Sequence, residues 1–338
     1  MSEHLKKFLY ISGITLFIIT SFILAAYQEL IVYSKQPALI NAEQRIVLIG
    51  SGQNFESVTR ILHEEDIIHS SFKFKLFARI KGYDRKVKAG EYLLSSSMSP
   101  EKILETLSQG KVYLYPITIP EGYTVHQIAS LLEKKGVGKR SEFLKVANDP
   151  AFTEQLGIDA KNFEGYLFPD TYFFAKNLSP RKMISAMVEQ FHITFNPIWE
   201  KRSPDLNFSV HEIVTLASII EKETGVAEER PLVSSVFHNR LNKNMRLQSD
   251  PTVIYGVENF DGNLTRKHLN TTTPYNTYTI RGLPSGPIAN PGKASLEAAL
   301  FPVKSAYLYF VSKNDKTHFF STNYDDHRKA VRKYQLNQ

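Results

Sequence analysis

Near the end of the segment from residue 211 to residue 225, HEIVTLASIIEKETG, two glutamates, Glu221 and Glu223, could move a proton. Its apolar residues recur at the i, i+3, i+4 and i+7 spacing of one helix face, and Gly225 marks the predicted helix end. At about 100° per residue, Glu221 lies on one flank of the apolar stripe and Glu223 on the other, roughly 160° apart. Two carboxylates so placed cannot converge on one bond as a glycosidase pair does, so either would have to act without the other.

A carboxyl at the edge of an apolar face can serve as a general acid. Partial burial raises the pKa of a carboxyl, which lets the group hold a proton near neutral pH and donate it to a leaving group. The alternative is that Glu221 and Glu223 are both solvated side chains on the flanks of an ordinary helix. Helix geometry alone leaves both interpretations open.

Loops rich in proline and glycine follow this helix and carry amides, hydroxyls and tyrosines. They contain the runs RLQSDPTVIYG, PYNTYTIRGLP and PIANPG. Such side chains line carbohydrate-binding grooves, but similar loops are common in structural scaffolds. An upstream aromatic run that includes Glu164, EGYLFPDTYFF, is predicted to serve packing rather than to form a sugar platform.

The composition restricts the classes of function. With 338 residues, the chain is long enough for two or more domains. It has no cysteine, which excludes disulfides and thiolate catalysis, and its 10 histidines show no HExxH or similar ligand spacing. We therefore expect neither a metal nor a cofactor. The net charge of +7 suits an anionic partner, but no dense run of Lys or Arg is present, so nucleic acid is not an expected partner.

The N-terminal residues predict one membrane-spanning helix. Residues 8–27 contain no Asp, Glu, Lys, Arg or His, and about twenty helical residues span a hydrocarbon core of roughly 30 Å. Lys6 and Lys7 precede this run, so the positive-inside rule places residues 1–7 in the cytoplasm and the rest of the chain outside it. A cleaved signal peptide is the alternative, but its apolar region is usually shorter.

Beyond the membrane span, the chain is predicted to be α+β. Residues 28–44 are predicted to form a polar spacer, in which Pro37 stops any helix that continues from the membrane. A small β-α-α-β module is predicted within residues 45–115, followed by a mixed α/β domain at 116–338. The module's predicted elements are a strand at 45–49, helices at 55–63 and 71–80, and a strand at 91–94.

Local signals also mark elements at the end of the small module and at the start of the larger domain. Ser99 is predicted to cap a helix that begins with proline, and residues 112–119 are predicted to form a strand. Thr124 and Gln127 form a predicted capping box at the start of the next helix, which stops at Gly136.

Several long runs occur in an order that resembles the MltG (YceG-like) family of endolytic murein transglycosylases. They are EGYLFPDTYFF, LASIIEKET, RLQSDPTVIYG, PYNTYTIRGLP and PIANPG, and the resemblance extends over essentially the whole chain. It implies a single-pass, inner-membrane enzyme whose catalytic part is extracytoplasmic and whose small module resembles a LysM-type peptidoglycan-binding fold. It also implies that Glu221 is the catalytic residue and that peptidoglycan synthases of the penicillin-binding class are partners.

The implied reaction is a lyase cleavage of the β-1,4 bond between N-acetylmuramic acid and N-acetylglucosamine in nascent glycan strands. The muramyl 6-hydroxyl replaces water, so no second carboxylate is needed and a 1,6-anhydro end results, which terminates polymerisation. Six residues are our candidates for gripping the sugars. They are Gln248, Ser249, Asp250, Tyr275, Asn276 and Tyr278.

Each of these assignments has an alternative. Asp250 could cap a helix that starts at Pro251, and the tyrosines could be core residues with satisfied hydroxyls. The whole protein could be a non-catalytic peptidoglycan-binding scaffold, which would need Glu221 only as a surface residue. It could also be a muramidase that uses water, for which Asp250 is the candidate second carboxylate.

Overall fold

The computed structural model describes residues 2–176 and 178–336 of the chain. It divides into two compact units, one that extends up to Tyr115 and one that begins at Pro116. Both units combine helices with short two-stranded sheets, and the first unit includes a long apolar helix near the N-terminus. The predicted mixed α/β architecture with an apolar N-terminal helix is therefore confirmed.

Helix α1 (Glu3–Lys35) is long and apolar enough to cross a membrane, with a mean hydropathy of 2.2 in its most apolar window. It continues eight residues beyond Tyr27, through the first part of the predicted spacer. The continuation forms because Leu30 and Tyr33 are buried in the core of the first unit. The helix ends before Pro37, since the residue that precedes a proline favours the extended conformation.

The first unit has the predicted β-α-α-β order. Strands β1 and β2 are antiparallel, with Val47 opposite Tyr92, and both of these side chains are buried among those of the intervening helices. Ser99 caps the helix that follows, accepting a hydrogen bond from Lys102 N as its position predicted. The elements are β1 (Arg45–Ile49), α2 (Phe55–Glu64), α3 (Ser71–Lys81), β2 (Gly90–Leu94) and α4 (Pro100–Gln109).

The second unit is mainly helical. The capping box of Thr124 and Gln127 is confirmed. The strand predicted at 112–119 is shorter, and it pairs with an unpredicted strand in the aromatic run. Its elements are β3 (Tyr115–Thr118), α5 (Val125–Lys134), α6 (Arg140–Ala147), α7 (Pro150–Gln155), β4 (Thr171–Phe174), α8 (Pro180–Thr194), α9 (Pro197–Asp205), α10 (Val210–Glu223), a 3-10 turn (Ala227–Glu229), α11 (Arg230–Asn242), α12 (Asp250–Tyr255), α13 (Arg266–Asn270), α14 (Lys293–Leu300), β5 (Tyr309–Ser312), β6 (His318–Ser321) and α15 (Tyr324–Gln335).

Helix α10 is the central element of this unit. A capping box of Ser209 and Glu212 starts it, and every residue from 213 to 220 is buried, so the predicted apolar stripe is part of a helix that is covered on all sides. The helix ends at Glu223, two residues before the predicted stop, because Thr224 is already extended. Ser218 also accepts a hydrogen bond from Ile288 N at 3.0 Å, which ties the helix to the PIANPG run.

A buried polar cluster, which we call the Asn290–Glu164 node, joins distant parts of the second unit. Asn290 Nδ2 donates to Tyr123 O at 2.9 Å and to Glu164 Oε1 at 3.1 Å, while Asn290 Oδ1 accepts from Leu167 N at 2.8 Å. Both Glu164 oxygens also accept from Val125 N, the first residue of α5. The node therefore fixes the start of α5 against the PIANPG run.

We expect Asn290→Ala to destabilise the second unit by about 3 kcal/mol or more, because it leaves several buried polar atoms without partners. Urea denaturation of the detergent-solubilised chain measures the change. Asn148→Ala is the matched control, since among the described residues the exposed Asn148 side-chain amide bonds only to Leu144 O, and it should cost less than about 0.5 kcal/mol. Equal effects of the two substitutions would contradict a structural role for the node.

Candidate active site

Glu221 lies in the last turn of α10, and its side chain is only 7% exposed. Its Oε2 accepts a hydrogen bond of 3.0 Å from Gly292 N, at the N-terminus of α14, where the helix dipole favours negative charge. Its Oε1 lies 3.8 Å from Arg230 Nη2 at the start of α11. Glu221 is therefore a nearly buried carboxyl with fixed orientation, not the solvated flank of the alternative interpretation.

A second carboxyl, that of Glu121, lies beside this group. Glu121 Oε2 is 3.9 Å from the same Arg230 nitrogen, and its side chain is 49% exposed. Burial and the negative charge of Glu221 raise the pKa of Glu121, and the positive charge of Arg230 opposes them. Two carboxyl groups thus flank one guanidinium, and the more exposed of the two is open to a ligand.

The turn that carries Glu121 is held by the PIANPG run. Gly122 N donates to Asn290 O at 2.9 Å, and Gly122 has a φ of +73°, which favours glycine. Across the turn, a β-carbon on Gly292 would overlap the Glu121 carboxylate. The absence of a side chain at residue 292 is therefore a condition for the observed position of Glu121.

Glu223 points into a different environment from Glu221. Ser249 Oγ donates a short hydrogen bond to Glu223 Oε1. Burial raises the pKa of Glu223 to about 7, and the negative charge of Asp250 adds to this shift, while the Ser249 hydrogen bond and the positive charges of His318 and Arg240 oppose it. The two glutamates do not share a partner among the contacts of the described residues.

Four of the six candidate sugar-binding residues lie near Glu223. Gln248, Asp250 and Tyr278 line a cleft of about 500 Å³ together with Glu223, and Ser249 is bonded to Glu223. Tyr278 donates its hydroxyl to Asp250 Oδ1 at 2.6 Å. Asp250 is the first residue of α12, and the N-cap position belongs to Ser249.

The other two candidates lie elsewhere. Tyr275 packs its ring on Tyr255 and lines a separate cleft of about 840 Å³ that also contains His211. Asn276 is fully buried, and its Nδ2 donates to three backbone carbonyls, so its side chain is not exposed to a ligand. These carbonyls belong to His268, Leu269 and Thr271.

Sequence reasoning did not single out Glu121, Arg230 or Gly292. One hundred positions separate Glu121 from Glu221, and no local pattern in the sequence links the two residues. His318 Nδ1 lies 2.6 Å from Glu229 Oε2, and the His318 side chain lines the cleft of Glu223. Within residues 2–176 and 178–336, no group of three or more His, Asp or Glu side chains is arranged to hold a metal ion.

Comparison with known proteins gives consistent matches over most of the chain. The model of the YceG-like family matches residues 47–333. A protein named endolytic murein transglycosylase from Bacillus subtilis (strain 168) is 35% identical over 302 residues, which are 85% of this chain and 83% of that protein. A protein of the same name from Streptococcus pneumoniae serotype 2 (strain D39) is 30% identical, over 84% of this chain and 57% of its own length.

A solved structure is also similar. The crystal structure of a yceG-like protein from Listeria monocytogenes has 34% sequence identity and a TM-score of 0.60, and the match covers 85% of this chain and 98% of that chain. The residues matched by the family model include Glu121, Glu221, Arg230 and Gly292.

We expect the unfolding free energy of Glu223→Gln, relative to the unsubstituted chain, to depend on pH. Because burial raises the pKa of Glu223 from 4.5 to about 7, the folded chain keeps a proton that the unfolded chain releases between these values. The contribution of Glu223 to the free energy of unfolding is thus complete below pH 4.5. This contribution falls by about 3 kcal/mol in total as the pH rises to about 7.

Urea denaturation over this pH range measures the difference. The same substitution at the exposed Glu228 is the control for the loss of a surface carboxylate. A difference for Glu223→Gln that stays constant over this pH range would show that the Glu223 carboxyl titrates normally.

Proposed function

Since the chain belongs to the YceG-like family, we propose that it is an endolytic murein transglycosylase whose acid and base is Glu221. The observation that carries the proposal is the environment of Glu221, a nearly buried carboxyl oriented by Gly292 N and placed beside Arg230. The name of the Bacillus subtilis relative, which this chain matches over 83% of that relative's length, supports the same activity.

The proposed reaction cleaves the β-1,4 bond between N-acetylmuramic acid and N-acetylglucosamine in a glycan strand. Glu221 protonates the leaving glycosidic oxygen, and the carboxylate then takes the proton of the muramyl 6-hydroxyl as that oxygen bonds to C1. The attacking hydroxyl belongs to the same sugar, so its effective concentration is high and the product is a 1,6-anhydro end. Because Gly292 N donates to Oε2, Glu221 Oε1 is available for proton transfer.

Arg230 is proposed to organise the site electrostatically. Glu121 and Glu221 repel each other, and Arg230 attracts both, so the guanidinium allows two carboxyl groups to lie close together. At 3.8 and 3.9 Å, neither contact is a hydrogen bond, so Arg230 acts through its charge.

One observation supports a second candidate function, a muramidase that uses water. Such an enzyme needs a second carboxylate beside the acid. The carboxyl near Glu221 is that of Glu121, whereas Asp250 bonds to Tyr278 in the cleft of Glu223. In the muramidase alternative, Glu121 therefore replaces Asp250 as the candidate that activates water. The burial of Glu221 argues against a non-catalytic scaffold, which would need Glu221 only at the surface.

The remaining parts of the chain are proposed to bring this site to nascent peptidoglycan. In this proposal α1 is a single-pass anchor in the inner membrane, with the N-terminus in the cytoplasm and both units outside it. The antiparallel pairing of β1 with β2 around two helices supports a LysM-like, glycan-binding role for the first unit. Peptidoglycan synthases of the penicillin-binding class are the proposed protein partners.

We expect Glu221→Gln to reduce turnover of purified glycan strands at least about 10³-fold, because an amide keeps the shape of the side chain but cannot exchange the proton. Glu223→Gln is the matched control on the same helix and should keep most of the activity, since the Glu223 side chain points away from Glu221, towards Ser249 and the cleft of about 500 Å³. Mass spectrometry of the products identifies the reaction: anhydro ends for a transglycosylase, hydrated ends for a muramidase, and no cleavage for a scaffold.

If the unsubstituted chain gives hydrated ends and Glu121→Gln abolishes them, the protein is a muramidase that uses Glu121, and the transglycosylase assignment is wrong. If Asp250→Asn abolishes them instead, the protein is a muramidase whose second carboxylate is Asp250. Normal cleavage by Glu221→Gln would mean that another residue is the acid.

Gly292→Ala tests whether the position of Glu121 matters. The added methyl group overlaps the Glu121 carboxylate and displaces it without removing any ionisable group. Because Glu121 is the carboxyl of the pair that is open to a ligand, its displacement should disturb the positioning of the strand, and we expect kcat to fall on the order of 10²-fold with little change in the urea midpoint. Gly225→Ala is the control, because a β-carbon there meets no atom within 4 Å and the backbone needs no positive φ. Unchanged kcat in Gly292→Ala would mean that Glu121 has no part in the reaction.

A further inference from the structure

The outward face of α3 carries an apolar stripe that is exposed in the first unit. Phe72, Leu76 and Ile80 are spaced four residues apart and are 73%, 40% and 52% exposed. The opposite face of the helix supplies Phe74 and Phe77 to the core of the unit. The stripe is therefore not part of the core of the unit, and its large apolar side chains are in contact with solvent.

Cationic side chains border this stripe. Helix α3 contains four Lys or Arg residues and no Asp or Glu. At about 100° per residue, Arg79 and Lys73 lie roughly 60° to either side of Leu76, at the two edges of the stripe. An apolar strip between rows of positive charge is typical of helices that lie in the interface of an anionic membrane.

The start of α3 is held against the part of α1 that follows the apolar span. Lys73 Nζ lies 2.6 Å from Glu29 Oε1, and Tyr33 donates its hydroxyl to Ser70 O at 3.0 Å. Glu29 is two residues beyond Tyr27, or about 3 Å along a helix. The headgroup layer is roughly 5–7 Å deep on each side of the hydrocarbon core. With α1 in the membrane, the start of α3 therefore lies at the level of the headgroups.

We propose that α3 is a docking surface for anionic phospholipid. Phe72, Leu76 and Ile80 enter the boundary between headgroups and acyl chains, and the exposed Arg79 binds headgroup phosphate at one edge of the stripe, while Lys73 keeps its ion pair with Glu29. This contact fixes the first unit against the membrane surface in addition to its covalent link to α1. The inference rests on the proposed role of α1 as a membrane anchor.

The chain has no cysteine, so a single introduced cysteine can be spin-labelled in the full-length protein without first removing native cysteines. Leu76→Cys reports on α3, Leu48→Cys on an exposed apolar position of β1, and Phe17→Cys on α1. The labelled chains are reconstituted in vesicles of phosphatidylcholine, with or without phosphatidylglycerol. Electron paramagnetic resonance then compares relaxation by oxygen, which concentrates in lipid, with relaxation by a water-soluble nickel chelate.

In vesicles with phosphatidylglycerol, we expect the label at residue 76 to be severalfold more accessible to oxygen than to the chelate, and the label at residue 48 to show the reverse. Without phosphatidylglycerol, or with Arg79→Glu in the same chain, the preference at residue 76 should fall severalfold. The label at residue 17 should be immersed in every case.

Equal chelate accessibility at residues 76 and 48 in the anionic vesicles would overturn the docking surface. The label at residue 17 then identifies what failed: immersion there leaves the anchor intact, and exposure to the chelate refutes the anchor as well. If the label at residue 76 is equally immersed with and without phosphatidylglycerol and in Arg79→Glu, the proposal that α3 prefers anionic lipid is wrong.

Discussion

The geometry of the second unit depends on the requirement that buried polar groups find partners. Asn290 and Glu164 are both buried, and an amide and a carboxyl left unpaired there would cost several kcal/mol. Their hydrogen bonds can form only when residues near 123, 165 and 290 meet at one point. Glu121 and Gly292 are each two residues away from a member of this cluster, so the same constraint brings them to Glu221. Burial raises the pKa of Glu164 to about 8, because the ionised carboxylate is disfavoured at this buried position.

Helix α10 adds rigidity to this arrangement. Neighbours on every side cover its middle, so it cannot rotate without breaking the core, and its last turn presents Glu221 and Glu223 in opposite directions. Each carboxyl then contacts a different set of residues, which fixes its orientation. Gly292 and Arg230 orient Glu221, whereas Ser249 and the cleft around it hold Glu223. One helix can therefore support two chemical environments separated by a single residue, Lys222.

Local patterns predicted local structure. The capping box at Thr124, the helix around Glu221 and the β-α-α-β order of the first unit are all encoded by neighbouring residues. The contact of Glu121 with Arg230 is not, because it depends on the fold of the whole second unit. Asn276 illustrates the same limit, since an amide in a polar loop looks accessible until its carbonyl partners are known. The placement of Glu221 as catalytic residue came from family resemblance and stays a prediction.

The continuity of α1 has a consequence for how the enzyme encounters its substrate. One uninterrupted helix joins the apolar span to the core of the first unit through Leu30 and Tyr33, so no flexible tether separates them. With α1 in the membrane, as proposed, the first unit cannot tumble as a soluble domain would. Its remaining freedom is lateral diffusion and spinning about the membrane normal. The search of the first unit for a glycan strand then takes place in two dimensions, within a layer whose height above the bilayer the helix sets.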